Sequence, residues 1–161
     1  MFIGVTVVLM ALYYSLPTSF IENSLVRFFA VVPGGALVDW IFSNINVYTQ
    51  HTRIVSPIAS LNVLKGCEGT EVLLMLYAAI IAMWRPIKWT LIGILLGTLV
   101  VFVLNQIRLL VLFTVVAFEK QYFELVHGFA APLVIVALVS LFFLGWLNWS
   151  MASATKPSTS E

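Results

Sequence analysis

The hydrophobic positions of this chain fall into long runs separated by short polar or charged stretches. A helix that crosses a bilayer needs about 20 mostly apolar residues, and the runs predict four spans. The first covers Phe2 to Leu16 and can extend through Phe20; the second covers Thr70 to Trp84. The third is apolar from Thr90 to Phe118, long for a single crossing, and the fourth runs from Phe129 to Trp149. Between the first two lies a mixed stretch, residues 18 to 66. Within it, residues 25–42, "LVRFFAVVPGGALVDWIF", are apolar but interrupted by Pro33-Gly34-Gly35 and flanked by charge at Arg27 and Asp39. That pattern reads as an interfacial or re-entrant element, with an extra span as the competing reading. "HTRIVSPIASLNVLKGC" then predicts two short strands around Ser56-Pro57, a β-hairpin leading into Cys67. The expected fold class is all-α integral membrane. It has about four transmembrane helices, with a short extracytoplasmic segment (interfacial or re-entrant helix, then hairpin) before the cysteine.

Charge and aromatic placement give the orientation. The loop "WRPIKW" is short, basic and bracketed by Trp84 and Trp89, as a cytoplasmic turn with interfacial aromatics would be. Trp146 and Trp149 close the fourth run on the same face, so both termini are expected inside. Arg27, Arg53 and Lys65 would then lie outside, and the positive-inside rule is only weakly obeyed. Residues 1–150 make one membrane-embedded domain; residues 151–161, ending in "SATKPSTSE", read as a disordered cytoplasmic tail.

Composition sharpens this picture. Of 161 residues, 61% are hydrophobic and 9% charged, and mean hydropathy is +1.06; soluble domains carry about 25% charged residues. A net charge of +1 offers no basic field, so nucleic acid is not an expected partner. The single cysteine excludes an internal disulfide, and no CxxC spacing marks a metal site. The first twenty residues lack a basic leader and an A-x-A site and read as a retained membrane helix. No GxSxG elbow and no Gly-rich phosphate loop is present. "GILLG" (93–97) has the small-xxx-small spacing of helix packing.

Three polar residues come to one depth. Measured from the centre of the inner turn, Cys67 lies about 20 residues before and Arg108 about 21 after; at about 1.5 Å per residue both stand roughly 30 Å away. His127 opens the fourth span, about 22 residues before Trp149, and reaches a similar outer level. Cys67 precedes a helix N-terminus and neighbours Lys65, both of which favour thiolate, whereas Glu68 acts the other way. Gly66 and Gly69 would let a substrate backbone approach. A lone membrane cysteine is otherwise an inert packing residue. Arg108 interrupts an apolar run at a cost of several kcal/mol, which marks it as functional unless it snorkels to the outer headgroups. Asn105, three residues earlier, shares its helix face and can orient it. His127 alone would be an ordinary interfacial histidine, and His51 reads as surface. Glu71 with Cys67 and His127 is too thin a set for a metal, and no cofactor is expected.

Together, "GCEGTE", "NQIRLLVLF" and "YFELVHGFAAPLV" resemble the three signature blocks of the exosortase/archaeosortase family, over roughly Leu61 to Leu147. The size is similar to that of the compact exosortase-H-like branch. The resemblance implies a membrane-embedded cysteine protease/transpeptidase in an inner (cell) membrane, its site facing the periplasm. By resemblance Cys67, Arg108 and His127 take the catalytic positions as nucleophile, oxyanion partner and general acid/base. Asn105 matches the family asparagine, and Glu68 and Glu71 are supporting candidates. The implied partners are exported proteins ending in a short motif, a membrane helix and a basic tail, together with membrane lipid. The competing reading is a non-catalytic membrane subunit of a larger complex, or a lipid carrier. There Arg108 pairs with an acidic group or a phospholipid, and Cys67 is replaceable.

Overall fold

The computed structural model describes residues 1–154. Helix α1 (Phe2–Ser15) is followed by α2 (Thr18–Ile41), then by strands β1 (Tyr48–Gln50), β2 (Arg53–Val55) and β3 (Ser60–Asn62). Helices α3 (Thr70–Ala82), α4 (Ile87–Phe118) and α5 (Lys120–Ala152) complete the chain. Among the described residues, α2, α4 and α5 are long and apolar enough to cross a membrane; α1 and α3, of 14 and 13 residues, are shorter. Their outward faces are apolar, with Ile3, Leu95 and Leu141 all exposed, as expected of helices whose surroundings are hydrocarbon rather than water.

The Pro33-Gly34-Gly35 stretch, expected to interrupt the chain, lies inside the continuous helix α2. The first part of α2, Ile21–Val31, has the wider π-type bonding, and the tighter α pattern resumes at Val32, so Pro33 occupies the first turn of that pattern. Inside the continuous helix its missing N–H leaves the carbonyl of Phe29, one turn back, without a helical donor, and Gln106 Nε2 donates to that carbonyl at 2.7 Å. The two glycines serve close approach rather than a turn. A Cβ on Gly34 would lie 3.0 Å from Leu109 Cδ1, and one on Gly35 would overlap Thr49 Cγ2. The final helix continues through Ala154, so the first four residues of the expected tail, 151–154, are helical; residues 155–161 lie outside the described residues.

The hairpin around Ser56-Pro57 is present as β2–β3, and β1 extends it to an antiparallel sheet ordered β1-β2-β3. Ser56 closes the β2–β3 turn: its hydroxyl accepts from the backbone N–H of Ala59 at 3.1 Å. Two apolar cores result. One joins Tyr13, α2, the buried strand residues Ile54 and Leu61, and the Leu109–Phe113 part of α4. The other joins α3, the earlier part of α4 and α5 through Leu76, Val101, Val139 and Trp146. The "GILLG" glycines seat this second core: a Cβ on Gly93 would lie 2.6 Å from Trp146, and one on Gly97 2.7 Å from Leu76.

One end of the bundle is tied by the tryptophans and Arg85. Trp146 Nε1 donates to Trp89 O at 3.1 Å, Arg85 Nη2 donates to Ser150 O at 2.5 Å, and Trp84 Nε1 meets Met1 Sδ at 2.5 Å. Trp89 and Trp149 pack edge to face, centroids 4.8 Å apart. Helix α1 therefore starts beside the α3–α4 turn. It ends beside the start of α3, where the Tyr13 hydroxyl donates to Glu68 and the Tyr14 hydroxyl to Glu71. The two helices are antiparallel.

Candidate active site

Strand β3 delivers the chain to a tight turn that presents Cys67. The backbone N–H of Cys67 donates to Leu64 O at 2.9 Å. Gly66 (φ 91°) and Gly69 (φ 83°) bracket the thiol in left-handed conformations that side chains adopt only with strain. Gly69 is also the residue from which α3 starts, so Cys67 sits just before a helix N-terminus.

The turn is held from both sides. Glu68, 6% exposed, accepts the Tyr13 bond on Oε1, while Glu71 accepts from Tyr14. Lys65 Nζ lies over both phenol rings, 5.0 Å from the Tyr13 centroid and 4.7 Å from that of Tyr14, a cation–π arrangement. Beneath Gly69 lies Asn105, 2% exposed, whose Cγ would be 3.3 Å from a Cβ placed on that glycine. Both polar atoms of Asn105 and Oε2 of Glu68 are buried without a hydrogen-bond partner among the described residues. They share a cavity of about 190 Å³ with Tyr77 and Thr98, whose hydroxyls are 2.6 Å apart. Buried polar atoms of this kind call for water, although the rest of the lining, including Leu25, Leu73 and Val101, is apolar.

On the same helix as Asn105, Arg108 reaches the thiol: its Nη2 lies 4.0 Å from Cys67 Sγ, the long limit of an N–H···S contact. Its Nε is buried without a partner among the described residues. His127 is on α5, where the bonding widens to the π pattern over Val126–Ala130, a local irregularity frequent at functional sites. The imidazole stacks on Phe123 with centroids 5.2 Å apart and planes 5° from parallel, and its Nδ1 is buried without a hydrogen-bond partner among the described residues.

Cys67 and His127 line one cleft of about 680 Å³, within the ~300–1,000 Å³ typical of ligand sites. Strand β3 and its flanking residues form one wall. Leu109, Leu112 and Val116 of α4 contribute apolar lining, and Lys120, Glu124 and His127 contribute polar groups from the start of α5. Arg108 stands beside this cleft and also lines an apolar groove between α4 and α5, with Ile107 and Leu138.

The sequence-selected residues are thus arranged in two groups. Arg108 meets Cys67, and His127 shares its cleft; Asn105, Glu68 and Glu71 lie behind the thiol and hold its turn. Tyr13 and Tyr14, which fasten that turn to α1, do not stand out in sequence; Lys65, selected for its charge beside the thiol, lies over their rings. The available signal is a pair of hydroxyl-bearing rings closing an otherwise aliphatic run. Among the described residues no three His, Cys, Asp or Glu side chains lie close enough together to hold a metal.

No family model, curated protein or solved structure matches the chain.

Proposed function

We propose that this chain is a membrane-embedded cysteine peptidase/transpeptidase, exosortase-like in its motifs, that cleaves C-terminal sorting signals of exported proteins. The observation that carries the reading is the 4.0 Å approach of Arg108 to Cys67 at the edge of a cleft shared with His127. In this reading α1, α3, α4 and α5 are the four crossings, the tryptophan end is cytoplasmic, and the cleft opens on the periplasmic side of the inner membrane. Helix α2 then lies at the outer interface, since it packs along the half of α4 that carries Gln106 and Leu109.

The chemistry follows from the donor set. Transfer of the thiol proton to His127 leaves a thiolate, which attacks the scissile carbonyl carbon. The carbonyl oxygen becomes an oxyanion, and the Arg108 guanidinium stabilises it in a partly dry site where charge is worth more than in water. The C–N bond breaks as His127 returns its proton to the departing amine, leaving a thioester on Cys67. Water or an acceptor nucleophile then attacks the thioester and releases the thiol. The position of His127 on the same cleft as Cys67 supports this role. A substrate helix beside the bundle would hold its motif at the height of the cleft and reduce the entropic cost of encounter.

A second reading rests on the apolar groove between α4 and α5, which brings Arg108 against Val134 and Leu138. There the guanidinium would serve a lipid headgroup or a partner helix, and the chain would be a non-catalytic subunit or carrier. A co-expressed reporter ending in a short motif, an apolar helix and a basic tail separates the two. Cleavage that disappears in Cys67→Ala at equal membrane levels supports the peptidase. A reporter left whole by the intact chain, or cleaved equally by Cys67→Ala, overturns it in favour of the subunit.

A further inference from the structure

The sheet has two edges, and they are treated differently. At β1, Thr49 is packed against Gly35 of α2. At β3 no further strand pairs among the described residues, where the sheet ends, and Ile58 to Leu64 line the cleft that holds Cys67 and His127. The free edge of β3 therefore borders the reaction cleft. Proteins ordinarily cover or blunt such an edge, because its unpaired N–H and C=O groups form a template for another strand.

The hydrogen-bond parity of the hairpin identifies the groups on offer. Val63 N–H donates to Thr52 O and Ser56 N–H to Ala59 O, each at 2.8 Å. With Ile54 opposite Leu61, the bonded pairs of this antiparallel ladder are 52–63, 54–61 and 56–59. The intervening residues of β3, Ser60 and Asn62, stand in non-bonded pairs, so their backbone N–H and C=O point away from β2. Their side chains are exposed while Leu61 and Val63 are buried, so β3 is anchored by one set of residues and free along the other.

We infer that the edge of β3 binds the substrate as an added strand, the backbone of Ser60 and Asn62 pairing with an extended segment next to the scissile bond. The inference rests on the peptidase reading and names how that site recognises its substrate. The occupant is an extended peptide for three reasons. The unmet groups are backbone donors and acceptors at strand spacing; the lining beside the strand is apolar, at Leu109, Leu112 and Val116; and the strand leads by a four-residue connection into the nucleophile. Backbone pairing would supply affinity with little sequence demand, and the apolar residues would select alternate side chains. It would also align the scissile carbonyl, since a paired strand fixes register as well as direction.

The test uses the full chain in membranes with the reporter described above. Ser60→Pro and Asn62→Pro each delete an outward N–H on an edge strand, where proline is tolerated. Ser60→Ala and Asn62→Ala delete only side chains. The expected result is a fall in cleavage of roughly tenfold or more in each proline variant, and a clearly smaller fall in the alanine variants, which keep the outward backbone donors. Alkylation of Cys67 by a small reagent should proceed at the wild-type rate in all four, showing an intact turn. Cleavage by both proline variants at the wild-type rate overturns strand addition while the peptidase reading stands. If a proline variant loses alkylation as well, the decision passes to a proline scan of the reporter segment before its apolar helix. Sensitivity at alternate positions supports the inference; uniform or aperiodic tolerance overturns it. An uncleaved reporter in the wild-type chain is a different result and removes the peptidase reading itself.

Discussion

The guanidinium of Arg108 approaches the thiol of Cys67 to 4.0 Å across 41 positions of sequence. The two groups belong to different helical segments, one inside α4 and the other in the turn before α3. An arginine in an apolar helix must find water, headgroups or a specific partner; here its Nη2 meets the only sulfhydryl in the chain.

Arg108→Lys keeps the charge and loses the planar fork that can hold an oxyanion and a thiolate together. Reporter cleavage by Arg108→Lys should fall by about 10²–10³, the range for deleting one oxyanion donor, with membrane levels unchanged. Near-normal cleavage by the lysine variant would reduce Arg108 to a source of positive potential.

Sidedness gives an independent check. A membrane-impermeant maleimide added to intact cells or to right-side-out vesicles should label Cys67 from the outer side. Lys88→Cys, in the first turn of α4 beside the tryptophans, should be labelled only after permeabilisation. Labelling of Cys67 only after permeabilisation would invert the proposed orientation and remove the site from the compartment of exported substrates.

The Tyr13 hydroxyl donates to the buried Glu68 carboxylate next to the nucleophile. Tyr13→Phe leaves Glu68 Oε1 unpaired beside an Oε2 that already has no partner, a loss of about 1–3 kcal/mol. The melting temperature of the purified chain in detergent should drop, and Tyr13→Phe with Glu68→Gln should recover part of the loss by removing the buried charge. Equal melting temperatures in Tyr13→Phe and the wild type would show that the pair carries no stability.

Gly69 holds φ at 83° with Asn105 packed beneath it. Gly69→Ala adds left-handed strain of about 1–2 kcal/mol and crowds Asn105, so it should move the Cys67 turn. A displacement near 1 Å can cost about 10²-fold in rate. Gly69→Asn, which tolerates that conformation better, should retain more activity than Gly69→Ala if backbone strain dominates; the reverse order would assign the effect to crowding.

At the α2–sheet contact, Gly35→Ala should destabilise the chain by about 1–3 kcal/mol through overpacking, because its Cβ would overlap Thr49 Cγ2. Thr49→Ser removes that methyl group and should restore stability in the double variant. Failure of the rescue would point to backbone geometry at the Pro33-Gly34-Gly35 stretch rather than to the contact.

Sequence by itself determined the helical, apolar character of this chain, because hydrophobic run length depends on nothing but order along the chain. It also gave the β2–β3 hairpin from its Ser-Pro turn, and the helix-packing role of Gly93 and Gly97. Depth counting along α4 could bring Cys67, Arg108 and His127 to one level, since helical rise per residue is constant. Counting could not say which faces turn toward one another; rotation about each helix axis is set by packing, as when Trp146 seats on Gly93. Nor could it show that Pro33-Gly34-Gly35 runs through a helix, because the same three residues serve a turn or a close approach and only the neighbours, Leu109 and Thr49, decide which. The fastening of Glu68 and Glu71 to Tyr13 and Tyr14 belongs to the same class: partners 55 and 57 positions apart leave no local mark on either segment. The open edge of β3 is likewise a tertiary fact, since an edge exists only where every other strand is already placed.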